Sequence, residues 1–135
     1  MFAVIMGCGR LGAELAMILE ADGHEVAILD VDKYAFEHLP VDFKGQKVLG
    51  DGTDQDTLRR AGAERADAFV AATRGDNRNA LAMQIAQRVF QIKRVGGVIF
   101  DPMREEIYRG FGIRTINPTK LEAELLRESI EREED

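Results

Sequence analysis

One cysteine, three prolines and no tryptophan occur in this 135-residue chain. The single Cys8 excludes an intrachain disulfide and a cysteine-based zinc cluster, and it fits a reducing compartment. The sequence has no apolar run near the roughly 18 residues of a transmembrane helix, and its N-terminus has no basic segment of the kind that begins a signal peptide. We therefore expect a cytoplasmic protein.

Positive charge is also limited, because 18 Lys and Arg residues are outnumbered by 24 Asp and Glu residues and the net charge is -6. This balance argues against non-specific binding to nucleic acids or anionic membranes. A nucleotide phosphate would need a locally arranged site. The 45% hydrophobic content is enough for one core, so the bulk composition predicts a single compact domain.

Catalytic motifs are missing too. The sequence contains no Walker A lysine motif, no G-x-S-x-G and no H-E-x-x-H. Neither His24 nor His38 follows a predicted strand directly, so we expect both to be ordinary surface or half-buried residues. The thin inventory of acids, bases and nucleophiles predicts that the protein is not an enzyme.

The sequence does contain a regular alternation of strand and helix signals, repeated six times with connections of about two to six residues. This pattern predicts an α/β fold: a Rossmann-like, doubly wound, parallel six-stranded sheet with helices on both faces. A C-terminal extension helix follows. The predicted strands are residues 2–6, 25–30, 46–51, 66–73, 94–100 and 113–118, and the segment from 32 to 39 is predicted to be a short helix.

The first strand leads into Gly7-Cys8-Gly9-Arg10-Leu11-Gly12, which has the pattern G-x-G-x-x-G. Gly7 would permit the tight turn, Gly9 a close approach of a pyrophosphate, and Gly12 the packing of helix against strand. Free N–H groups at the helix start would face the phosphates. Arg10 would add charge-assisted hydrogen bonds, which explains a cation at a position that the helix dipole disfavours.

Asp30 ends the second strand 18 residues after Gly12, the spacing expected of an acid that accepts hydrogen bonds from the ribose hydroxyls of adenosine. Its charge would repel a 2′-phosphate, which favours NAD(H) or an adenine nucleotide over NADP. The alternative is that the glycines serve packing alone and Asp30 is a cap or a solvated acid. Asp32 fits either a ribose contact or a helix cap.

The C-terminal segment is charged and helical, and its apolar residues form one stripe that needs a partner surface: Leu121, Leu125, Leu126 and Ile130. Periodicity alone is equally consistent with a helix that folds back on its own sheet.

Taken together, the signals resemble the N-terminal domain of the RCK/KTN family, the nucleotide-binding regulatory proteins of potassium transporters. The resemblance covers essentially the whole chain. The "GD-x-T-D…L…AG…ADA" run is more specific than the glycine pattern. The matching stretches are "GCGRLG" at 7–12, "GHEVAILDVD" at 23–32, "GDGTDQDTLRRAGAERADAFVAAT" at 50–73, "GDNRNALAMQIAQ" at 75–87 and "DPMREEIYRGFGIRTINPT" at 101–119.

This resemblance implies a nucleotide site, with Arg10 as the phosphate contact and Asp30 as the ribose contact. It implies that residues 51–53 line the adenine side, that Thr73 and Arg74 border the other half of the ligand, and that Asn79 is the family's asparagine on the next helix. One departure is Val98, which stands where the family often has an arginine. The complete implied set is Gly7, Cys8, Gly9, Arg10, Leu11, Gly12, Asp30, Val31, Asp51, Gly52, Thr53, Thr73 and Arg74.

The function implied is that of a non-catalytic regulator of potassium transport. The ligand would be NAD(H) or an adenine nucleotide (ATP, ADP or AMP), and its binding would change the arrangement of a homodimer or larger ring. The partner would be a potassium-translocating membrane protein, with this chain peripheral to the inner face of the cell membrane. Residues 1–117 would form the nucleotide-binding domain and 118–135 a crossover or dimerisation helix. The alternatives are an NAD-dependent oxidoreductase fragment and a nucleotide sensor that regulates a different transporter.

Overall fold

The computed structural model describes residues 1–133, which form one parallel sheet with helices on both of its faces. The strands are β1 (Phe2–Met6), β2 (Glu25–Asp30), β3 (Gln46–Leu49), β4 (Ala68–Ala71), β5 (Arg94–Val98) and β6 (Arg114–Ile116). The α-helices are α1 (Arg10–Ala21), α2 (Gln55–Arg60), α3 (Asp76–Arg88), α4 (Pro102–Gly110) and α5 (Pro118–Glu131). Two 3₁₀-helices span Lys33–His38 and Ala63–Arg65.

The order of strands in the sheet is β3-β2-β1-β4-β5-β6, and every neighbouring pair is parallel. The chain therefore winds outward from β1 to β3, crosses back to β4 and winds outward again to β6. Such a topology has its switch point between β1 and β4, where the connections diverge and leave a crevice at the carboxyl ends of the strands. The predicted six-stranded, doubly wound fold is confirmed.

Two separate apolar clusters, one on each face of the sheet, fix this arrangement. One contains Phe69 and Met83 and packs α2 and α3 against the sheet; the other contains Ile5 and Ile28 and packs α1 and the first 3₁₀-helix. The strands β1 and β2 are buried on both faces, which explains why they read as continuous apolar runs rather than as alternating patterns. The prediction of helices on both faces is confirmed.

Four strands end earlier than the sequence predicts, at Leu49, Ala71, Val98 and Ile116. Beyond β4 and β5, polar side chains take over the backbone hydrogen bonds of residues that were predicted to continue the strand, as at Thr73, whose N–H donates to the side-chain oxygen of Asn79. For example, the carboxylate of Asp76 accepts hydrogen bonds from the N–H groups of Phe100 and Asp101 at 2.8 and 2.9 Å, so the chain leaves the sheet after β5. The first short helix is present as a 3₁₀-helix.

The terminal helix α5 begins at Pro118, immediately after its cap Asn117, whose side-chain oxygen accepts a hydrogen bond from the N–H of Lys120. The side-chain nitrogen of Asn117 donates to the carbonyl of Phe100, which ties the start of α5 to the end of β5. The apolar side chains of α5 are 47% to 81% exposed. No helix within residues 1–133 combines the length and the apolar character needed to cross a membrane.

Candidate functional site

The glycine turn between β1 and α1 is shaped by contacts that a side chain would disrupt. Gly7 has φ +106, in the region that favours glycine, and its N–H donates to the carbonyl of Leu29 at 2.8 Å. A Cβ on Gly12 would lie 1.8 Å from the carbonyl oxygen of Gly7, so only glycine lets α1 approach the turn this closely. A Cβ on Gly9 would meet nothing within 4 Å, which means that Gly9 borders open space.

The start of α1 carries no side-chain cap, because Gly9 occupies the capping position. The first N–H groups of an α-helix have no partner within the helix, and they attract anions together with the positive end of the helix dipole. Arg10 is the first residue of α1, is exposed and faces the same open space. The arrangement suits an anionic group such as a phosphate.

Asp30 lies at the tip of β2 and faces the glycine turn. One of its carboxylate oxygens accepts a hydrogen bond from the N–H of Cys8 at 2.8 Å, and the other accepts from the N–H of Asp32 at 2.9 Å. These bonds fix the carboxylate at the edge of the crevice. The carboxylate of Asp32 is instead engaged as the cap of the following 3₁₀-helix, where it accepts from the N–H of Tyr34 at 3.0 Å.

Two adjoining cavities open at this edge of the sheet, with volumes of about 710 and 160 Å³. Gly7, Asp30 and Thr73 border both, so these residues stand where the cavities meet. The larger cavity is also bordered by Gly9, Arg10, Leu11, His38, Ala72, Arg74, Val98, Phe100, Pro118, Thr119 and Glu122. The smaller one is also bordered by Met6, Leu29, Val31, Gly50, Gly52 and Arg78.

Beside the smaller cavity, Asp51 organises the turn that follows β3. Its carboxylate accepts hydrogen bonds from the N–H and the hydroxyl of Thr53 at 2.9 and 2.8 Å and pairs with Arg78 at 3.0 Å. The backbone hydrogen bond from Thr53, assisted by its hydroxyl and by Arg78, holds the pKa of Asp51 below its usual range despite partial burial. Gly52 lies against Met6, whose sulfur would be 2.2 Å from a Cβ at that position.

Asn79 is fully buried; its side chain connects two strand ends by hydrogen bonds and does not border either cavity. Its side-chain nitrogen donates to the carbonyls of Thr73 and Val98, both at 2.9 Å, and its oxygen accepts from the N–H of Thr73. These hydrogen bonds orient Thr73 at the crevice and hold the ends of β4 and β5 together. Val98 itself borders the larger cavity with an apolar side chain.

Cys8 is buried, and its side chain carries no sign of activation. Burial, together with the negative charge of Asp30, raises the pKa of the Cys8 thiol to about 11, so the thiol stays protonated at neutral pH. The described residues, 1–133, contain no group of three His, Cys, Asp or Glu placed to hold a metal ion. The site has binding groups, and its one cysteine is not an activated nucleophile.

The structure brings most of the proposed residues to one edge, though in different roles. Gly7, Gly9, Arg10, Leu11, Asp30, Thr73 and Arg74 border the larger cavity, and Val31 and Gly52 border the smaller one. Cys8 contributes its backbone, Gly12 serves packing, and Asp51 and Thr53 form the supporting turn.

Several residues at this edge were missed by sequence reasoning, among them Arg78, Glu122 and His38. His38 is exposed, in keeping with the expectation of a surface or half-buried residue, but it also borders the larger cavity and its Nδ1 contacts the carbonyl oxygen of Cys8 in the glycine turn. A signal existed for Arg78, which occupies the first turn of a helix that follows a strand at this edge. No local signal marks His38 or Glu122, because their places depend on how distant segments pack.

An all-parallel sheet in this strand order, with a glycine turn and a strand-end acid at its switch point, defines a Rossmann-type domain. The chain belongs to the TrkA-N domain family, whose family model matches residues 3–118. The resemblance seen in the sequence is thereby confirmed.

Relatives with curated names match over most of this chain. It is 48% identical over 116 residues, 86% of its length, to a Trk system potassium uptake protein TrkA from Streptomyces coelicolor, and covers 52% of that protein. It is 35% identical over 133 residues, 98% of its length, to a TrkA homolog from Methanothermobacter thermautotrophicus, and covers 61% of that protein. The chain thus spans between one half and two thirds of the length of these relatives.

Solved structures share the fold at low identity. The TrkA-N domain of the inner membrane protein ybaL from Escherichia coli superposes with a TM-score of 0.83 at 15% identity, over 94% of both chains. A Kef C-terminal domain from Shewanella denitrificans, in AMP-bound form, gives 0.73 at 22% identity, over 86% of this chain and 72% of the other. A GsuK channel bound to NAD gives 0.69 at 20% identity, over 85% of this chain and 21% of the other.

Proposed function

We propose that this chain is a non-catalytic regulatory domain that binds NAD(H) or an adenine nucleotide and controls a potassium transport system. The observation that carries the proposal is the uncapped start of α1, which opens with Arg10 and Asp30 into one cavity of about 710 Å³. Phosphates would bind at the N–H groups of α1 and at Arg10, and the ribose would bind at Asp30. Relatives named as potassium uptake proteins support the choice of system.

The adenine would occupy the smaller cavity, beside Val31 and Gly52, and the second half of a longer ligand would extend toward Thr73 and Arg74. AMP and NAD, the ligands named for two proteins of the same fold, share the adenosine and the 5′-phosphate that these positions would recognise. Val98 is uncharged and would make no ionic contact with a phosphate. Among the residues that border the larger cavity, Arg10 and Arg74 are the arginines that would make such contacts.

The signal would pass from the ligand to α5. Pro118, Thr119 and Glu122, at the start of this helix, border the larger cavity, whereas the apolar stripe further along is exposed. A second copy of the chain would cover the stripe, so that α5 acts as a dimerisation helix and residues 1–117 as the nucleotide-binding domain. Residues 134 and 135 of the predicted segment 118–135 lie outside the described residues. A ligand that binds two arrangements of the dimer with different affinity would shift their populations, with a coupling of about 1–3 kcal/mol in typical systems.

Nucleotide binding is tested by titrating the chain with NADH, ATP, ADP, AMP and adenosine in a calorimeter. We expect saturable binding of at least one nucleotide, and Arg10→Ala should weaken it roughly tenfold or more while leaving adenosine binding unchanged. Arg65→Ala is the matched control, since Arg65 is exposed, pairs with Glu25 at 2.8 Å and stacks on Phe2 at the opposite end of the sheet. Absence of binding by every nucleotide would contradict the proposal.

The regulatory role is tested in two further ways. Steady oxidation of NADH with any small carbonyl substrate would replace the regulator with the oxidoreductase alternative. Capture of partners from the native membrane should recover a potassium-translocating protein, which would place this chain at the inner face of the membrane through that partner. Recovery of another class of transporter would contradict the role in potassium transport and would favour the alternative of a nucleotide sensor that regulates that transporter.

A further inference from the structure

His38 ends the 3₁₀-helix Lys33–His38, and its ring is held by two carbonyl groups. Nδ1 lies 3.1 Å from the carbonyl oxygen of Cys8 and 2.9 Å from that of Ala35. A carbonyl oxygen only accepts hydrogen bonds, so Nδ1 must carry the hydrogen that the two oxygens share. In the neutral ring Nε2 therefore has no hydrogen and acts as an acceptor.

The ring is placed at the same end of the larger cavity as Asp30. The N–H of Cys8 donates to the Asp30 carboxylate, while the carbonyl of Cys8 accepts from His38, so one backbone residue holds both side chains. Both side chains border the cavity. Within residues 1–133 the hydrogen bonds of His38 involve Nδ1, and Nε2 remains for a molecule in the cavity.

We propose that His38 is a further ligand-binding residue, whose Nε2 accepts a hydrogen bond from a ribose hydroxyl of the bound nucleotide. The inference rests on the proposed nucleotide site and assigns it a second acceptor. Each carboxylate oxygen of Asp30 already accepts one backbone hydrogen bond, so its capacity for the two ribose hydroxyls is reduced. A second acceptor beside it lets the two hydroxyls donate to separate groups.

This pairing makes the site selective for hydroxyl donors. A neutral imidazole and a carboxylate both accept, so a ribose that lacks one hydroxyl leaves an acceptor without its partner. A purely structural role is the competing explanation, since the bond from Nδ1 to Ala35 closes the 3₁₀-helix that contains His38. The two explanations differ in whether the sugar of the ligand matters.

The experiment measures dissociation constants of AMP, 2′-deoxy-AMP and 3′-deoxy-AMP for the unmodified chain and for His38→Asn. The asparagine amide keeps a donor near the position of Nδ1 but has no atom at the position of Nε2. We expect the unmodified chain to prefer AMP over at least one deoxy analogue by roughly tenfold. His38→Asn should lose most of that preference while the thermal midpoint of unfolding stays unchanged.

Two variants complete the design. His38→Gln, whose amide reaches the position of Nε2, should restore part of the preference, and it replaces the asparagine variant if that variant does not fold. His24→Asn is the control, because His24 contacts the N-terminal amine at 3.0 Å beside the starts of β1 and β2, whereas the glycine turn lies at the opposite ends of these strands.

Equal weakening of AMP and both analogues by His38→Asn would assign His38 a structural role and overturn the inference. Unchanged binding of all three would overturn it as well. Failure of the unmodified chain to bind any of the three, and NADH and ATP in addition, would overturn the proposed function itself. The failures are thus distinguishable.

Discussion

Helices α1 and α5 are similar in length and in their apolar spacing, yet they meet the rest of the domain in opposite ways. α1 buries Gly12, Ala13 and Ala16 against the sheet, whereas α5 buries none of its residues. At the starts of the two helices the contrast is reversed, because there α1 is the helix whose groups lack a partner. Asn117 caps α5 with its side chain, while Gly9 leaves the start of α1 without such a cap.

The difference separates two kinds of unsatisfied surface. The start of α1 leaves polar N–H groups that suit a small anion, and α5 leaves apolar side chains that suit another protein surface. The start of each helix borders the larger cavity, whereas the apolar side chains of α5 are exposed outside the lining of that cavity. If α5 mediates the proposed self-association, a ligand in this cavity would be in position to influence it.

The largest effect is expected where α1 meets the glycine turn. Gly12→Ala would force a Cβ to within 1.8 Å of the Gly7 carbonyl, so we expect a loss of about 3 kcal/mol or more in the free energy of unfolding. Denaturant unfolding measures this loss. Gly9→Ala, whose Cβ meets nothing within 4 Å, is the control and should cost less than about 1 kcal/mol. Equal losses in the two variants would show that close packing does not define the turn.

The next effect concerns the stripe of α5. Leu125 is 55% exposed, so Leu125→Asp should leave the thermal midpoint of the monomer unchanged but weaken self-association. Burial of one leucine contributes about 1.5–3 kcal/mol, and a symmetric dimer loses that amount twice, so we expect a weakening of roughly 100-fold or more. Sedimentation measures the dissociation constant. Arg127→Gln, on the opposite side of α5, is the control, and association that survives Leu125→Asp would argue for a different dimer surface.

A smaller effect, on nucleotide affinity, is expected at the proposed ribose contact beside the start of α1. Asp30→Ala should weaken nucleotide binding by about 1–3 kcal/mol, since it removes the proposed acceptor of the ribose hydroxyls. Asp32→Ala is the matched control, because Asp32 caps the 3₁₀-helix and its loss should reduce stability without changing affinity. Calorimetric titration of both variants checks this. Unchanged affinity in Asp30→Ala would remove Asp30 from the site.

The smallest effect is a pH dependence at Asp51. Because its pKa is lowered in the folded chain, its contribution to stability is complete above the unfolded pKa of about 4 and is lost as the pH falls through the folded value. The side chain is 41% exposed, so the contribution should stay below about 1 kcal/mol. The unfolding free energies of the unmodified chain and Asp51→Asn should converge between about pH 4 and pH 2. A difference that persists at pH 2 would assign the effect to packing.

The sequence was sufficient to predict six strands and a doubly wound parallel fold, because strands such as β1 and β2, which are buried on both faces, leave continuous apolar runs. It was not sufficient for the strand ends, which depend on side chains from other segments, such as Asp76 at the end of β5. His38 could not be assigned to the cavity for the same reason. Its contact with Cys8 joins residues 30 positions apart and depends on how the 3₁₀-helix packs beside α1.

Hydrogen–deuterium exchange of the chain with and without a saturating adenine nucleotide tests the central claim most directly. We expect slower exchange in residues 9–12, at Val31 and Asp32 and at the start of α5, with little change in the 3₁₀-helix Ala63–Arg65 at the other end of the sheet. Slower exchange confined to segments away from the glycine turn would contradict it, because the uncapped start of α1 would then not be the ligand site.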